Sequence, residues 1–150
     1  MPDWLGLLPH RPPMRLVSEV VEIEPGNRAV CRRPTVAGDW FFDGHFPGEP
    51  VVPAIVLVEL LAQTGGLAIG SGAIGHGDVG SGASAGEPLA LRVAALGGFK
   101  FPGAAVAGDV LEATARVAGR MGGLYKIEGE VTAGGRVVGV GSVTLAEARR

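Results

Sequence analysis

The sequence predicts an α+β domain in which an antiparallel sheet of about six strands wraps around one long central helix. Two observations lead to this prediction. A run without helix breakers, AIVLVELLAQ, follows Pro53 and is long enough for a helix. From residue 88 onward, apolar and polar residues alternate with period two between Gly-containing turns, which is typical of antiparallel strands. One apolar helix and several half-apolar strands can bury these faces only against each other.

Length and composition fit a single domain, residues 1–150. The chain has 47% hydrophobic and 19% charged residues, which is ample material for a core. A net charge of −2 and the lack of a basic stripe with interleaved aromatic residues argue against a nucleic-acid-binding protein. The segment MPDWLGLLPHRPP has an early acidic residue and no long apolar run, so we expect no signal peptide or anchor and a cytoplasmic location.

The cysteine and histidine residues do not form a metal-binding pattern. Cys31 is the single cysteine and lies in the strand-like run RAVCRR, so we expect a small buried residue and no disulfide. The three histidines, His10, His45 and His76, do not fall at zinc-ligand spacing. No bound metal is therefore expected.

The first strand pair is predicted from two runs on either side of the turn EPGN. Residues 16–23 read LVSEVVEI and residues 28–34 read RAVCRRP, the pattern of an antiparallel hairpin. Before them, PHRPP forms a proline-stiffened segment, in which His10 and Arg11 are predicted to be solvated.

The central helix is predicted to begin at Pro53, because proline suits the first helical turn, and to be stopped by Gly65 and Gly66. It is apolar nearly all round, which indicates a buried helix. At about ten to sixteen residues it is too short to span a bilayer. After it, residues 70–87 are rich in glycine, serine and alanine, the composition of a flexible connector; His76 within it is expected to be solvated.

Four further strand candidates complete the sheet and are joined by Gly-containing turns such as AGG at residues 133–135. They are LALRVAALGGFKF (89–101), DVLEATARVAG (109–119), LYKIEGEVTA (124–133) and RVVGVGSVTLAEA (136–148).

Two residues carry the chemistry that we expect. Glu59 stands in the apolar helix, where a carboxyl group must find a partner, reach a water-filled pocket or stay protonated. Fourteen residues earlier, His45 stands in a Gly-His-Phe-Pro-Gly turn, and an imidazole can accept a proton near neutral pH. Taken singly, His45 could be a capped loop histidine and Glu59 a salt-bridged structural acid. Together they suggest an acid–base pair.

The stretch FFDGHFPGEPVVPAIVLVELLAQ, residues 41–63, resembles the active-site segment of the 3-hydroxyacyl-acyl-carrier-protein dehydratases of type II fatty acid synthesis, which have the hot-dog fold. LPHRPPMRLV and FKFPGAAVAGDVL resemble two further segments of that family, so the resemblance weakens only in the Gly-rich segment. Glutamate at position 59 points to the broad-specificity branch that does not isomerise its product. The chain departs from the family at Ala54, where glycine is usual.

The resemblance implies reversible removal of water from a 3-hydroxyacyl thioester to give the trans-2-enoyl thioester, with His45 as base and Glu59 as acid and without a metal or redox cofactor. It implies at least a homodimer, because the family builds each site from two subunits, and it leaves a trimer of dimers open. The acyl chain would arrive on acyl carrier protein, an acidic partner. Substrate-binding candidates are Ala54, Gln63, Phe46, Pro53 and Gly48; docking candidates are Arg11, Arg15, Arg92 and Lys100.

Two alternatives from other classes stay open. One is a hot-dog thioesterase, in which an acid or a polarised water cleaves the thioester; the His-Phe-Pro-Gly turn with its Glu speaks against it. The other is a non-catalytic subunit that binds acyl carrier protein. Ala54 and the Gly-rich segment make that second alternative conceivable.

Overall fold

The computed structural model describes residues 3–75 and 90–148. Within these ranges the chain forms one α-helix, six β-strands and two short 3-10 turns. They are the turn Trp4–Leu7, β1 (Glu19–Glu24), β2 (Arg28–Pro34), the turn Trp40–Phe42, α1 (Ala54–Gly75), β3 (Leu91–Lys100), β4 (Val110–Met121), β5 (Leu124–Ala133) and β6 (Arg136–Glu147).

The six strands form one antiparallel sheet in the order β1-β2-β4-β5-β6-β3, and α1 packs against it. Strand β4 shows why the two layers join: Leu111, Ala113 and Ala115 are fully buried, while the alternate residues Glu112 and Arg116 point outward and form ion pairs. Period-two alternation therefore gives the sheet one apolar face, which the helix covers. The predicted fold class, an antiparallel sheet of six strands with one long helix, is confirmed.

The predicted hairpin is present, but β1 starts three residues later than the sequence pattern indicated. Leu16 and Val17 are buried and lie outside the strand. Their backbone N–H groups donate to Oε1 of Gln63 on α1, at 2.9 and 3.4 Å, instead of to a neighbouring strand. A polar side chain on the helix thus replaces the ladder hydrogen bonds at this point.

The predicted end of the helix at Gly65 and Gly66 is wrong. Helix α1 has 22 residues and continues to Gly75, so the first part of the predicted Gly-rich connector is helical. The rest of that connector, including His76, lies outside the described residues. The prediction failed because glycine was read as a breaker, whereas tertiary packing routinely overrides intrinsic helix propensity.

Close approach of neighbouring segments explains two of the glycines inside α1, Gly65 and Gly72. A Cβ atom at Gly65 would lie 2.9 Å from Cγ1 of Ile127, and one at Gly72 would lie 2.8 Å from the Cα of Gly26. A side chain at either position would collide with β5 or with the β1–β2 turn. The missing side chains allow close contact there, which offsets the helix propensity lost at each glycine, roughly 1 kcal/mol.

The length of α1 also corrects the expectation that it is too short to span a membrane. Residues 54–72 form a stretch of 19 residues with a mean hydropathy of 1.6, which is sufficient by length and composition alone. However, 72% of this stretch is buried inside the fold. Its apolar character is that of a core helix packed on a sheet.

Strand β3 forms one edge of the sheet and is unusually exposed. Only Leu91 and Phe99 are partly buried in it; the other eight residues are exposed. Val93 and Leu96 in β3 and Phe101 just after it expose 45, 55 and 42% of their surface. A long, exposed edge strand with apolar side chains is a surface on which another chain can pair.

Candidate active site

The turn that carries His45 is anchored in the core on one side. Phe41 and Phe42 are 4 and 5% exposed, and the His45 N–H donates to the carbonyl oxygen of Phe42 at 3.0 Å. Gly44 and Gly48 both have φ of 76°, a conformation that a residue with a side chain adopts only with strain. Buried aromatic residues and two glycines therefore fix the course of the turn.

Of the two imidazole nitrogens of His45, Nδ1 is hydrogen-bonded and Nε2 has no hydrogen bond to a described residue. Nδ1 lies 2.9 Å from the carbonyl oxygen of Val51, and the Val51 N–H donates back to the His45 carbonyl oxygen at 2.9 Å. Because a carbonyl oxygen only accepts hydrogen bonds, Nδ1 carries the proton, and Nε2 presents a lone pair. The ring of Phe46 stacks on the imidazole at 4.0 Å.

Glu59 lies in the middle of α1 with 28% of its side chain exposed. Its Oε1 accepts a hydrogen bond of 3.2 Å from Nε2 of Gln63, one turn further along the helix. Nε2 of His10 lies 3.4 Å from the same oxygen. The carboxyl group therefore has one hydrogen-bond donor and one further nitrogen nearby, and it has no cationic lysine or arginine within 4.0 Å among the described residues.

Gln63 is almost completely buried, at 2% exposure, and all of its polar atoms are engaged. Oε1 accepts from the N–H groups of Leu16 and Val17, and Nε2 donates to the Met14 carbonyl oxygen at 2.8 Å as well as to Glu59. Since the backbone N–H groups can only donate, they fix which end of the amide is oxygen. Gln63 thus ties the N-terminal segment to Glu59.

Glu59 and Gln63 open onto a cavity of about 270 Å³ between α1, the N-terminal segment and β3. Its wall is mainly apolar, and the polar groups on it are few, as is usual for pockets that bind small molecules. The lining residues include Leu7, Leu8, Ala62, Gly66, Leu91, Val93 and Leu145, together with the polar side chains of His10, Glu59, Gln63 and Arg92.

Within a single chain, the two predicted catalytic residues are not in contact. His45 is absent from the wall of the Glu59 cavity. Among the described residues, no ion pair within 4.0 Å joins His45 to Glu59; the histidine beside Glu59 is His10. One chain thus presents the candidate base and the candidate acid at two separate places.

The other substrate-binding candidates divide between these two places. Gln63 belongs to the Glu59 cavity. Phe46 and Gly48 lie in the His45 turn, and Pro53 and Ala54 follow it at the start of α1. Ala54 is exposed as the first residue of the helix, a position whose N–H has no partner within the helix.

The four docking candidates differ in their exposure and in their contacts. Arg11 and Lys100 are exposed, Arg15 is half-buried and Arg92 lines the Glu59 cavity. The guanidinium of Arg11 donates to the carbonyl oxygens of Leu8 and His10, at 3.0 and 2.9 Å. Arg11 therefore shapes its own turn, and Arg92 faces the cavity in addition to solvent.

His10 is the site residue that sequence reasoning missed. We expected a solvated side chain, but the imidazole contacts Glu59, lines the cavity and has a buried Nδ1. The proline-rich surroundings suggested a surface turn. In the structure, the hydrogen bond from Gln63 to the Met14 carbonyl oxygen holds this segment against α1. The resemblance of Leu-Pro-His-Arg to a family motif was the available signal for a site residue here, but we interpreted it only as a docking surface for acyl carrier protein.

Cys31 is buried at the centre of β2, as expected. Burial raises the pKa of its thiol from 9.0 to about 11, and a hydrogen bond with Thr64 lowers it by a smaller amount. A thiol of this kind is a poor nucleophile at neutral pH. In the part of the chain that the structure describes, His, Cys, Asp and Glu side chains form no group of three that could bind a metal.

Comparison with known proteins identifies the relatives of this chain. Residues 8–141 match the model of the FabA-like domain family. The chain is 33% identical over 140 residues to the 3-hydroxyacyl-acyl-carrier-protein dehydratase FabZ of Ruminiclostridium cellulolyticum, with 93% of this chain and 91% of that protein covered. It is 35% identical over 145 residues to the FabZ of Clostridium botulinum, with 95 and 86% covered.

A third relative has a higher identity over a shorter alignment. The chain is 47% identical over 70 residues to the FabZ of Moorella thermoacetica, where the alignment covers 45% of this chain and about half of that protein, 49%.

Two solved structures share the fold. The dehydratase heterocomplex ApeI:P from Xenorhabdus doucetiae superposes with a TM-score of 0.80 at 18% identity, covering 100% of this chain and 93% of that chain. A hypothetical thioesterase with coenzyme A from Streptococcus pneumoniae superposes with a TM-score of 0.64 at 14% identity, covering 88 and 86%. At these identities the likeness establishes the fold and does not choose between the two activities.

Proposed function

The chain belongs to the FabA-like family of hot-dog dehydratases, and from that premise we propose that it dehydrates 3-hydroxyacyl thioesters on acyl carrier protein, reversibly, to trans-2-enoyl thioesters. The proposal places the reaction in fatty acid synthesis or a related acyl or polyketide pathway in the cytoplasm. It assigns His45 as the base and Glu59 as the acid.

The observation that carries the proposal is the hydrogen bond of 2.9 Å between Nδ1 of His45 and the carbonyl oxygen of Val51. In the neutral imidazole it places the proton on Nδ1 and orients the lone pair of Nε2, which a general base requires. A merely structural histidine in a surface turn would not need its tautomer fixed by a strand-like segment that hydrogen-bonds back to it.

The proposed reaction balances without an external electron acceptor. Nε2 of His45 takes the proton from C2 of the acyl chain, and the electron pair of that bond forms the C2–C3 double bond. The C3–O bond breaks, and the leaving hydroxyl group takes the proton of the Glu59 carboxyl group and departs as water. Proton exchange with solvent then returns both side chains to their starting states. No redox cofactor is needed, because the reaction neither gains nor loses electrons.

The thioester oxygen gains negative charge as C2 loses its proton. The N–H of Ala54, at the N-terminus of α1, is proposed to donate to that oxygen, since the first amides of a helix have no intrahelical partners and the helix dipole favours negative charge there. Phe46, Gly48 and Pro53 would shape the same end of the site. Gln63 would hold the Glu59 carboxyl group.

We propose that the complete site forms between two chains. His45 and Glu59 occupy separate places in one chain, so a partner must bring its own His45 to the Glu59 cavity. The exposed apolar edge of β3 offers a surface for this pairing. A homodimer is therefore the smallest active unit of the proposal, and association of three dimers is compatible with it.

The test is the turnover of a 3-hydroxyacyl-carrier-protein thioester, followed by enoyl absorbance and by thiol release. Wild-type protein should form enoyl product without free thiol. His45→Ala and Glu59→Gln should each lower the rate by about a hundredfold or more while the circular dichroism spectrum is retained. Glu130→Gln, the same chemical change in β5 away from the cavity, is the matched control and should retain the wild-type rate.

The alternatives give different results in the same assay. Thiol release without enoyl absorbance would make the protein a thioesterase. Binding of the thioester without turnover would make it a non-catalytic subunit. Wild-type rates in either the His45 or the Glu59 variant would remove the proposed acid–base pair.

A further inference from the structure

The contact between His10 and Glu59 has no part in the mechanism proposed above. Nε2 of His10 lies 3.4 Å from Oε1 of Glu59, and both side chains are 28% exposed. Both line the same cavity. The contact joins residues 49 positions apart in the sequence, so it depends on how the N-terminal segment is folded against α1.

Two sets of hydrogen bonds hold His10 in this position. On its own segment, the guanidinium of Arg11 curls the backbone by donating to the carbonyl oxygens of Leu8 and His10. Further along, Gln63 fastens the segment to α1 through Met14 and Leu16. Leu8 is 2% exposed, so an apolar anchor precedes the histidine as well.

The tautomer of a neutral His10 ring follows from its surroundings. Nδ1 is buried and has no hydrogen-bond partner among the described residues. A buried N–H without an acceptor costs more than a bare lone pair, which is the more tolerated unsatisfied group. In the neutral ring, the tautomer with its proton on Nε2 therefore fits best, and this nitrogen lies 3.4 Å from Oε1 of Glu59.

Two nitrogens that can donate then lie near one oxygen of the Glu59 carboxyl group. Nε2 of Gln63 donates to Oε1 at 3.2 Å, and Nε2 of His10 faces the same atom. An O–H at Oε1 would face these donors, so a protonated carboxyl group carries its proton on Oε2. The two donors thus select which oxygen can give a proton away.

We propose that His10 is a positioning residue: with Gln63 it holds Oε1 of Glu59, so that Oε2 presents the transferable proton to the leaving hydroxyl group of the substrate. The proposal rests on the proposed function in that Glu59 is taken as the acid. At 3.4 Å the contact is longer than an N–H···O hydrogen bond of about 2.7 to 3.2 Å, and the proposal requires it to shorten when substrate fills the cavity, as catalytic hydrogen bonds commonly do. The same two donors stabilise the carboxylate that remains after proton transfer.

The test compares His10→Gln with His10→Leu in the full-length protein. The glutamine amide can place an N–H near the position of Nε2, whereas leucine keeps only the apolar bulk. A positioning role predicts that His10→Leu lowers kcat by about tenfold or more with KM changed by less than about twofold, and that His10→Gln restores most of kcat. If His10→Leu does not fold, His10→Phe, which keeps a flat ring, replaces it and should show the same loss.

Each other outcome overturns the proposal. A role in packing alone predicts the opposite ranking, because leucine fits an apolar site better than a glutamine with an unsatisfied oxygen. Equal loss in both variants would mean that His10 exchanges protons itself. Wild-type kcat in His10→Leu, together with an inactive Glu59→Gln, would reject the His10 proposal and leave the proposed function standing; failure of wild-type protein to dehydrate would reject the proposed function itself.

Discussion

The side-chain amide of Gln63 lies 3.2 Å from Oε1 of Glu59 and donates to it across one turn of α1. The same amide makes three hydrogen bonds to the backbone of residues 14–17. A residue that stabilises the fold and one that is proposed to act on substrate are therefore parts of one network. Changes at Gln63 should affect both properties.

Replacing Gln63 with leucine should lower the free energy of unfolding by about 2 to 4 kcal/mol. Leucine has a similar volume, but it leaves the buried N–H groups of Leu16 and Val17 without an acceptor. Urea denaturation at one fixed protein concentration measures the effect. The control is Thr64→Val at the next position, which loses the hydroxyl contacts to the Leu60 carbonyl oxygen and to the Cys31 thiol and should cost about 1 kcal/mol or less. Equal costs would show that the Gln63 network contributes little.

Gly65 and Gly66 are adjacent, but alanine at these positions should have opposite effects on stability. A Cβ at Gly65 meets Ile127 at 2.9 Å, whereas one at Gly66 meets only Leu8 and Leu91, at 4.0 Å. We expect Gly65→Ala to destabilise the fold by about 1 to 3 kcal/mol and Gly66→Ala to stabilise it by up to about 1 kcal/mol through helix propensity.

A double-mutant cycle tests the cause assigned to the Gly65 effect. Ile127→Ala should cost less in the Gly65→Ala background than in the wild type, because the truncated side chain makes room for the new methyl group. If the two changes are additive, the collision with Ile127 is not the reason for the glycine.

These two glycines also show how far the sequence could predict the structure. The alternation of apolar and polar residues and the turn residues were enough to predict all six strands and the position of the helix. Burial of one face imposes this alternation on each element locally. The length of the helix depended on the space between Gly65 and Ile127, residues from distant parts of the chain. No local pattern contains that distance.

The site was predictable to a similar extent. His45 and Glu59 stand out because an imidazole in a glycine turn and a carboxyl group in an apolar helix are chemically unusual. The location of His10 could not be predicted from residue chemistry, because it follows from hydrogen bonds that Gln63 makes to residues almost fifty positions away. The residues around His10 predict a proline-rich turn, and the further signal in them was the resemblance of Leu-Pro-His-Arg to a family motif.

Cys31 should not react with thiol reagents at pH 8 in the native protein, because burial raises the pKa of its thiol to about 11. The same shift predicts a dependence of stability on pH. Below pH 9.0, the thiol is protonated in both states and its contribution to stability is fully present; as the pH rises from 9.0 toward about 11, the unfolded chain ionises first and this contribution is lost.

The measurement is the free energy of unfolding of wild type and Cys31→Ala from pH 8 to pH 11. Taking the difference between the two proteins cancels the other groups that titrate in this range. The wild type should lose its stability relative to the variant as the pH rises. Parallel curves would mean that the thiol is not desolvated.

Lys100 is the best of the three exposed docking candidates to test, because the guanidinium of Arg11 is engaged with its own backbone and Arg92 lines the Glu59 cavity. Lys100→Glu should lower kcat/KM several-fold on a carrier-protein thioester at low salt, since it repels an acidic partner. The loss should shrink at high salt, and a small pantetheine thioester should be unaffected.

The matched control for Lys100→Glu is Lys126→Glu, the same charge reversal at an exposed lysine of β5, on the sheet face turned away from α1. It should change neither substrate's kcat/KM. Equal losses on both substrates in Lys100→Glu would indicate a structural lysine instead of a docking residue.

Mixing two inactive variants tests whether the site forms between chains. If His45 of one chain works with Glu59 of its partner, a heterodimer of His45→Ala and Glu59→Gln chains has one site with both wild-type groups and one with neither. Each heterodimer should then regain about half of the wild-type activity if the two sites act independently. Differently tagged, co-expressed chains purified over both tags provide this species, and native mass spectrometry confirms its composition. A doubly tagged heterodimer without activity would place His45 and Glu59 of the same chain in one site. In that case, the His45 turn would have to move toward the Glu59 cavity of its own chain.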